Sequence, residues 1–82
     1  MPYVKPELRA ALDAGVKQPE DAGELNYAVT MLVLKFLAQG KPSYARYNAA
    51  IGALECCKLE LYRRLVSPYE NAKRAENGDV YP

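Results

Sequence analysis

The chain of 82 residues is at most one domain, and a chain this short buries only a little over ~60% of the surface that its unfolded form exposes. Hydrophobic residues make up 50% of it, more than so small a solvated body needs. We therefore expect a homo-oligomer, in which subunit interfaces cover the spare apolar surface. The net charge is +1, from 11 basic and 10 acidic residues, which gives no basic field for non-specific nucleic-acid binding.

The cysteines and the chain start argue against several classes of protein. Cys56 and Cys57 are adjacent in a predicted helix, where neighbouring side chains point about 100° apart, so a disulfide between them is unfavourable. With no histidine in the chain, we expect no metal site, and we interpret both as reduced core or interface residues of a cytoplasmic protein. The start, MPYVKPELRA, lacks the apolar core of a signal peptide. The apolar run from Ala28 to Ala38 is too short for a bilayer, which needs ~20 residues.

The first predicted element is a short amphipathic helix. Met1 to Val4 is typical of an extended arm. Pro6 suits the first turn of a helix, and Gly15 is a stop signal. A helix of about two turns is predicted between them because its apolar residues share one side. These residues are Leu8, Ala11 and Leu12.

The second predicted helix is apolar on nearly every face. It begins near Glu20 to Glu24, where acidic residues match the positive end of the helix dipole. From Leu25 to Ala38 the apolar residues surround the helix, which indicates burial on more than one side, one of them against another subunit. Gly40 is expected to take the left-handed cap, and Pro42 cannot continue the helix. The main apolar stripe consists of Leu25, Val29, Leu32 and Phe36.

The third predicted helix, from Ser43 to Val66, is the longest. Ser43 is the expected N-cap. Ser67 and Glu70 have the spacing of a capping box with proline between them, so either a fourth helix (68–76) begins afresh or the long helix kinks at Pro68. Asn77-Gly78 is a turn signal before an extended tail, 77–82. The predicted fold is a single all-α domain, 1–82: an antiparallel helical hairpin with short flanking helices.

The long helix presents two different faces. Glu55 and Lys58 lie within an apolar stripe, three residues apart, with Tyr62 one turn further along. They form either a structural ion pair at the edge of the core or the wall of a polar pocket. The stripe comprises Tyr44, Tyr47, Ile51, Leu54, Glu55, Lys58, Tyr62 and Leu65. The opposite face is interpreted as ordinary solvated or packed surface and comprises Arg46, Ala49, Ala53, Cys56, Glu60, Arg63 and Arg64.

A candidate ligand site is predicted where the stripe meets the start of the second helix and the C-terminal segment. Asn26 either satisfies free backbone groups at a helix start or presents its amide to a ligand. Tyrosines offer flat faces for a base, and basic residues offer charge for phosphate. The charged C-terminal segment is either a solvated tail or docks Val80 and Tyr81 on a neighbouring subunit to close a site. The candidate ligand-binding residues are Asn26, Tyr27, Tyr44, Glu55, Lys58, Tyr62, Arg63, Tyr69, Lys73, Asn77, Asp79 and Tyr81.

Three pieces of the chain carry a family resemblance. GELNYAVT (23–30), IGALECCKLELYRRLVSPYE (51–70) and ENGDVY (76–81) resemble, in this order and near these spacings, a family of small uncharacterised proteins of bacteria, archaea and their phages. This resemblance covers most of the chain and implies no activity and no functional residue. In size, helical hairpin and expected oligomerisation, the chain is also similar to small helical phage proteins that sequester nucleotide immune signals at subunit interfaces, which is a likeness of architecture alone.

Two functions remain after an enzyme is set aside. The sequence has no histidine, no nucleophile elbow and no glycine-rich phosphate loop, so we expect no catalysis and no cofactor. The favoured hypothesis is a non-catalytic oligomer that binds a small anionic or nucleotide-type ligand, in the manner of a phage sequestering protein. The alternative is a structural or protein–protein interaction module with no small-molecule ligand.

Overall fold

A computed structural model describes residues 3–82, which form four α-helices and one π-helical turn without any strand. The all-α class predicted from the sequence is therefore confirmed. Of the predicted N-terminal arm, Met1 and Pro2 lie outside the described residues. The elements are α1 (Pro6–Asp13), α2 (Ala22–Ala38), α3 (Tyr44–Leu61), the π turn (Tyr62–Val66) and α4 (Ser67–Asn77).

The chain divides into two compact units, Met1–Tyr47 and Asn48–Pro82. The first contains α1, α2 and the first turn of α3. The second contains the rest of α3, the π turn, α4 and the C-terminal tail. The organisation of residues 1–82 as one domain stays a prediction.

In the first unit α1 packs against α2. Pro6 opens α1 as expected, and Gly15 follows its end with a φ of 73°, a conformation that glycine adopts without steric cost. The apolar side of α1 is half-buried, whereas most of its other residues are exposed. The predicted amphipathic helix is therefore confirmed, and its half-buried residues include Leu8, Ala11 and Leu12.

The start of α2 is held by a small network of charged groups. Asp21 caps the helix, since its Oδ1 accepts from the Glu24 N–H at 2.8 Å. Glu24, only 6% exposed, accepts from the Glu20 N–H at 3.2 Å and lies 3.1 Å from the Lys17 ammonium. Lys17 also contacts Glu20 at 2.8 Å. The hydrogen bond to Glu20, reinforced by Glu24 and partly offset by desolvation, raises the pKa of Lys17. A buried carboxylate is tolerated here because it is paired.

The expected left-handed cap at Gly40 is wrong, since within residues 3–82 only Gly15 and Gly78 have positive φ. Gly40 instead makes room for Arg46, whose guanidinium carbon lies 3.0 Å from where a Cβ on Gly40 would stand. Arg46 Nη2 donates to the carbonyl of Phe36, in the last turn of α2, and the guanidinium lies 4.6 Å from the centroid of the Phe36 ring. A cation suits this helix end electrostatically.

The chain passes from α3 to α4 without starting a new helix. The predicted Ser43 N-cap of α3 is confirmed, because its Oγ accepts from the Arg46 N–H at 3.1 Å. No side-chain cap bond forms at the start of α4, so the predicted capping box is wrong. Instead the Ser67 N–H donates to the Tyr62 carbonyl, five residues back. Pro68 has no N–H to offer the carbonyl of the preceding turn, and a wider π turn accommodates this loss.

The C-terminal turn signal is confirmed at Gly78. α4 ends at Asn77, and Gly78 has a φ of 90° and donates its N–H to the Arg74 carbonyl at 2.8 Å. The tail beyond it has no regular secondary structure. Within it the Tyr81 N–H donates to Asp79 Oδ1 at 2.9 Å, which is the hydrogen bond of an Asx turn.

Burial within residues 3–82 is sparse. Tyr27 and Ala50 are the buried hydrophobic residues and Glu24 the buried charged one, and no large side chain is fully buried. The apolar stripe of α2, expected to be buried on more than one side, is exposed. Its members and their exposed fractions are Leu25 at 56%, Val29 at 37%, Leu32 at 69% and Phe36 at 42%.

Candidate functional site

Three of the candidate ligand-binding residues lie in the first unit. Asn26 is exposed, and its Oδ1 accepts from the Thr30 hydroxyl at 3.3 Å. It does not cap α2, because Asp21 does, so the structural interpretation of Asn26 is wrong. Tyr44 is 79% exposed at the first position of α3. The other nine candidates lie in the second unit.

Tyr27 joins α2 to the end of α1. Its ring is 7% exposed, and its hydroxyl lies 2.8 and 2.9 Å from the two carboxylate oxygens of Asp13, to which it donates. Burial, followed by the hydrogen bond and the negative charge of Asp13, raises the pKa of Tyr27. The hydroxyl of this candidate ligand-binding residue is thus engaged in holding two helices together. Sequence reasoning missed Asp13, which is fourteen residues from Tyr27 and has no motif that marks it.

Glu55 and Lys58 form the predicted ion pair, at 3.1 Å. Their side chains are 54% and 68% exposed, and Tyr62 on the same face is 55% exposed. In a single chain the pair therefore lies on open surface, and its expected place at the edge of a core is wrong. The physical reason is that the apolar residues around the pair are themselves exposed, so they form no core beside it.

The basic residues expected to bind phosphate are matched by carboxylates. Residues 48–82 contain five Lys and Arg and five Asp and Glu, so the net charge of this unit is zero. An anion would have to compete with these carboxylates for each cation. The pairs are Lys58–Glu55 at 3.1 Å, Arg64–Glu60 at 3.3 Å, Lys73–Glu76 at 3.5 Å, Arg74–Asp79 at 4.0 Å, and Arg63 with Glu60.

One cavity, which we call the C-terminal cavity, gathers part of the predicted site. It encloses about 460 Å³ beside the end of α4, and Lys73, Asp79 and Tyr81 line it with Arg74. The Lys73 ammonium lies 5.7 Å from the centroid of the Tyr69 ring. The structure therefore brings together three of the candidates and places Tyr69 next to one of them. Both signs of charge line this cavity.

A second concave surface, which we call the α3 groove, lies between the two predicted faces of the long helix: Cys56, Glu60 and Arg64 come from the face interpreted as ordinary surface and Leu65 from the stripe. It is an open depression of about 580 Å³ along one side of the helix, and both cysteines line it, free and exposed. They are therefore not core residues of a single chain. The spacing of Cys57, Leu61 and Leu65, four residues apart, is the signal that identifies this face. The groove is lined by Cys56, Cys57, Glu60, Leu61, Arg64 and Leu65.

These observations define a small all-α protein in which much of the apolar surface is uncovered. The chain belongs to the family described as a domain of unknown function, DUF6899, whose model matches residues 1–80. The resemblance to an uncharacterised family is thus confirmed. No match was found among curated proteins or among solved structures.

Within residues 3–82, no three or more of the cysteine and carboxylate side chains come together as a metal-ion site. None of the described helices combines the length and the hydrophobicity that crossing a bilayer requires.

Proposed function

We propose that this protein is a protein–protein interaction module that associates with copies of itself. The observation that carries the proposal is the exposure of large apolar side chains along α3, the π turn and α4. Within the second unit, the elements that contact each other are the π turn and α4, which are neighbours along the chain. A helix without a partner is marginal in water. The exposed residues of this unit include Ile51, Leu54, Leu59, Leu61, Tyr62, Leu65 and Tyr69.

These observations favour the interaction module over the ligand-binding oligomer, which was the favoured hypothesis from the sequence. The sequence favoured a ligand-binding oligomer because charged residues lay near an expected core. In the structure those charges are exposed and paired, whereas the exposed apolar surface favours association, which strips water from apolar groups. The module needs no small molecule for this role.

Native mass spectrometry and sedimentation velocity at micromolar concentration test self-association. We expect a dimer or a larger closed assembly, because the apolar surface of one chain is then covered by another. A chain that remains monomeric over the whole concentration range would contradict the proposal. Protein purified from its host is the better sample, since the same spectrum reports any small molecule that it retains.

A small anionic or nucleotide-type ligand is the second candidate, and the C-terminal cavity is the observation that favours it. Lys73 and Arg74 would meet phosphate there, and Tyr81 would offer its ring to a base. A thermal-shift screen with nucleotides and cyclic dinucleotides tests this role and the sequestering role that the architecture suggested. A ligand at ~100 times its Kd adds ~2.7 kcal/mol of stability. Lys73→Ala should abolish the shift, and Lys58→Ala, outside the cavity, should preserve it.

Other predictions from the sequence accompany this proposal. They are the antiparallel hairpin of α2 and α3, the absence of catalysis, a cytoplasmic location, and an occurrence in bacteria, archaea and their phages. The two free thiols support a reducing compartment, where disulfides are rare.

A further inference from the structure

We propose that the adjacent thiols of Cys56 and Cys57 bind a soft monovalent metal ion, Cu(I), within a single chain. The site lies in the α3 groove, which both cysteines line. This inference concerns a different class of ligand from the proposed self-association and does not depend on it. From the sequence we expected no metal site, because zinc needs more ligands than two cysteines provide.

The spacing of the two thiols prevents a direct bond between them and leaves room for a bridging ion. Neighbouring residues of an α-helix differ by about 100° of rotation and about 1.5 Å of rise, which places their Cβ atoms roughly 5 Å apart. A disulfide requires Cβ atoms within about 3.5–4.5 Å of each other. Cys56 and Cys57 lie inside α3 (Tyr44–Leu61), and both are free. They therefore form a dithiol that an intervening atom can join.

The bond lengths of a soft ion match this spacing. A bond from a thiolate to a metal such as zinc is about 2.3 Å long, and bonds to other soft ions are similar, so an ion held in line between two sulfurs separates them by roughly 4.6 Å. This separation fits Cβ atoms roughly 5 Å apart when both sulfurs turn to the same side of the helix. Both cysteines line the same depression, which is the arrangement that such a bridge requires.

The number of donor atoms selects the ion. Zinc in structural sites takes four ligands, whereas Cu(I) prefers soft thiolates and is stable with two of them in line. Within residues 3–82, no third cysteine or carboxylate completes a larger set, and the chain contains no histidine. Glu60, which also lines the groove, is engaged by Arg63 and Arg64. Two thiolates are therefore the donor set, and that set fits Cu(I).

The charge around the site suits the complex that forms. Cu(I) displaces one proton from each thiol, so one Cu⁺ and two R–SH give [Cu(SR)₂]⁻ and two H⁺, with no change of oxidation state. The complex carries one negative charge. Residues 55–64 contain three basic and two acidic side chains, a net charge of +1, and Arg64 lines the groove beside both cysteines. The surrounding charge therefore compensates that of the complex.

Competition between the protein and a chromophoric Cu(I) chelator tests the site. The probe is Cu(I) alone, added without oxygen and with a reductant that contains no thiol, so that the cysteines stay reduced. We expect one ion per chain by native mass spectrometry and an ultraviolet charge-transfer band from the thiolates to copper. Wild-type protein that takes no Cu(I) from the chelator would overturn the inference and leave the proposed self-association standing.

Two variants separate a dithiol site from binding by single thiols. Cys57→Ser keeps one thiol and should raise the Kd for Cu(I) by ~100-fold or more, because the second thiolate acts at the effective concentration that the chain sets. The matched control, Cys56→Ser with Leu59→Cys, keeps two thiols in each chain. Leu59 is 54% exposed and lies about 200° around the helix from Cys57, so the control should lose affinity by a similar factor. Wild-type affinity in either variant would overturn the inference.

Stoichiometry and helix content complete the test. X-ray absorption at the copper edge should show two sulfur neighbours for each ion. One ion shared between two chains would overturn the assignment to a single chain. Circular dichroism should show wild-type helix content in both variants, since the substituted positions are exposed. Cys57→Ala, which has the higher helix propensity, should show the same loss of Cu(I) affinity, and unchanged affinity there would also overturn the inference.

Discussion

Arg46 reaches from the first turn of α3 to the last turn of α2, and Gly40 leaves space for it. The guanidinium gains a hydrogen bond to the Phe36 carbonyl and a contact with the Phe36 ring. Its Nε is buried without a partner, which costs part of that gain. We therefore expect Arg46→Ala to lower the free energy of unfolding by about 1 kcal/mol.

The effect of Gly40→Ala on the free energy of unfolding should change sign with the residue at position 46. A Cβ at Gly40 would lie 3.0 Å from the guanidinium carbon and displace it, so Gly40→Ala should destabilise the wild-type protein. In an Arg46→Ala background the space is free, and the substitution should stabilise by about 0.4–1 kcal/mol through the unfolded chain. Chemical denaturation of the wild type, the two single variants and the double variant measures the coupling between positions 40 and 46. Additive effects would show that the contact does not form in solution.

Tyr27 makes the free energy of unfolding depend on pH in the alkaline range. Its pKa is raised above the ordinary value of 10.0, so the folded protein holds the phenolic proton where the unfolded chain has released it. The stabilisation is fully present below pH 10.0 and falls as pH rises through the folded pKa. The pKa of Lys17 is also raised, above 10.5. Its contribution to the stability of the folded protein is likewise lost as pH rises, through a higher pH range.

The comparison with Tyr27→Phe isolates the tyrosine. At neutral pH the variant should melt roughly 5–10 °C lower, because the Asp13 carboxylate loses a hydrogen bond. Above pH 10 the difference should shrink, since the wild type alone must keep that hydroxyl protonated. Thermal unfolding followed by circular dichroism from about pH 8 to about pH 11 measures the difference. A constant difference over that range would be inconsistent with a raised pKa.

At the scale of a helix, the serine just before α3 and the serine that begins α4 have different roles. Ser43 accepts a backbone N–H at the start of α3, so Ser43→Ala should destabilise by about 0.5–2 kcal/mol. Ser67 makes no cap bond, and Ser67→Ala should stay within about 0.5 kcal/mol of the wild type. Urea denaturation of the two variants measures their free energies of unfolding. Equal losses of stability in the two variants would mean that Ser67 also caps a helix.

The helix ends were predictable because short-range signals set them. Pro6, Ser43 and Gly78 act on backbone groups within a few residues, and the sequence shows those residues directly. Asp21 was predicted only as one of the acidic residues near the start of α2, and its capping bond is seen in the structure. The π turn was not predictable in the same way. Pro68 allows several responses, including a new helix, a kink or a wider turn, and the hydrogen bonds of the surrounding helix decide among them.

Side-chain contacts between elements were less accessible to sequence reasoning. The Tyr27–Asp13 bond and the contact of Arg46 with Gly40 join separate segments. The candidate site was difficult to predict for a second reason. An apolar face that packs within a chain and one that packs between chains have the same pattern, so the stripe around Glu55 was interpreted as the edge of a core.

At the scale of the whole molecule, folding and assembly should be one process. Residues 3–82 bury only two hydrophobic side chains below the surface, so under the proposed self-association we expect the interface to supply much of the stability. The melting temperature should then depend on protein concentration. For a dimer, a tenfold dilution should lower the Tm by roughly 3–5 °C.

Differential scanning fluorimetry across a hundredfold range of concentration measures this dependence. Tyr27→Phe is the matched control, because it weakens the first unit without touching the exposed apolar residues of the second. It should lower the Tm at every concentration and keep the slope. Leu61→Glu, which replaces one of those residues, should instead lower the Tm most at low concentration, where the dimer is already near dissociation. A wild-type Tm that does not change with concentration would mean that a single chain is stable alone, against the uncovered apolar area on which the proposal depends.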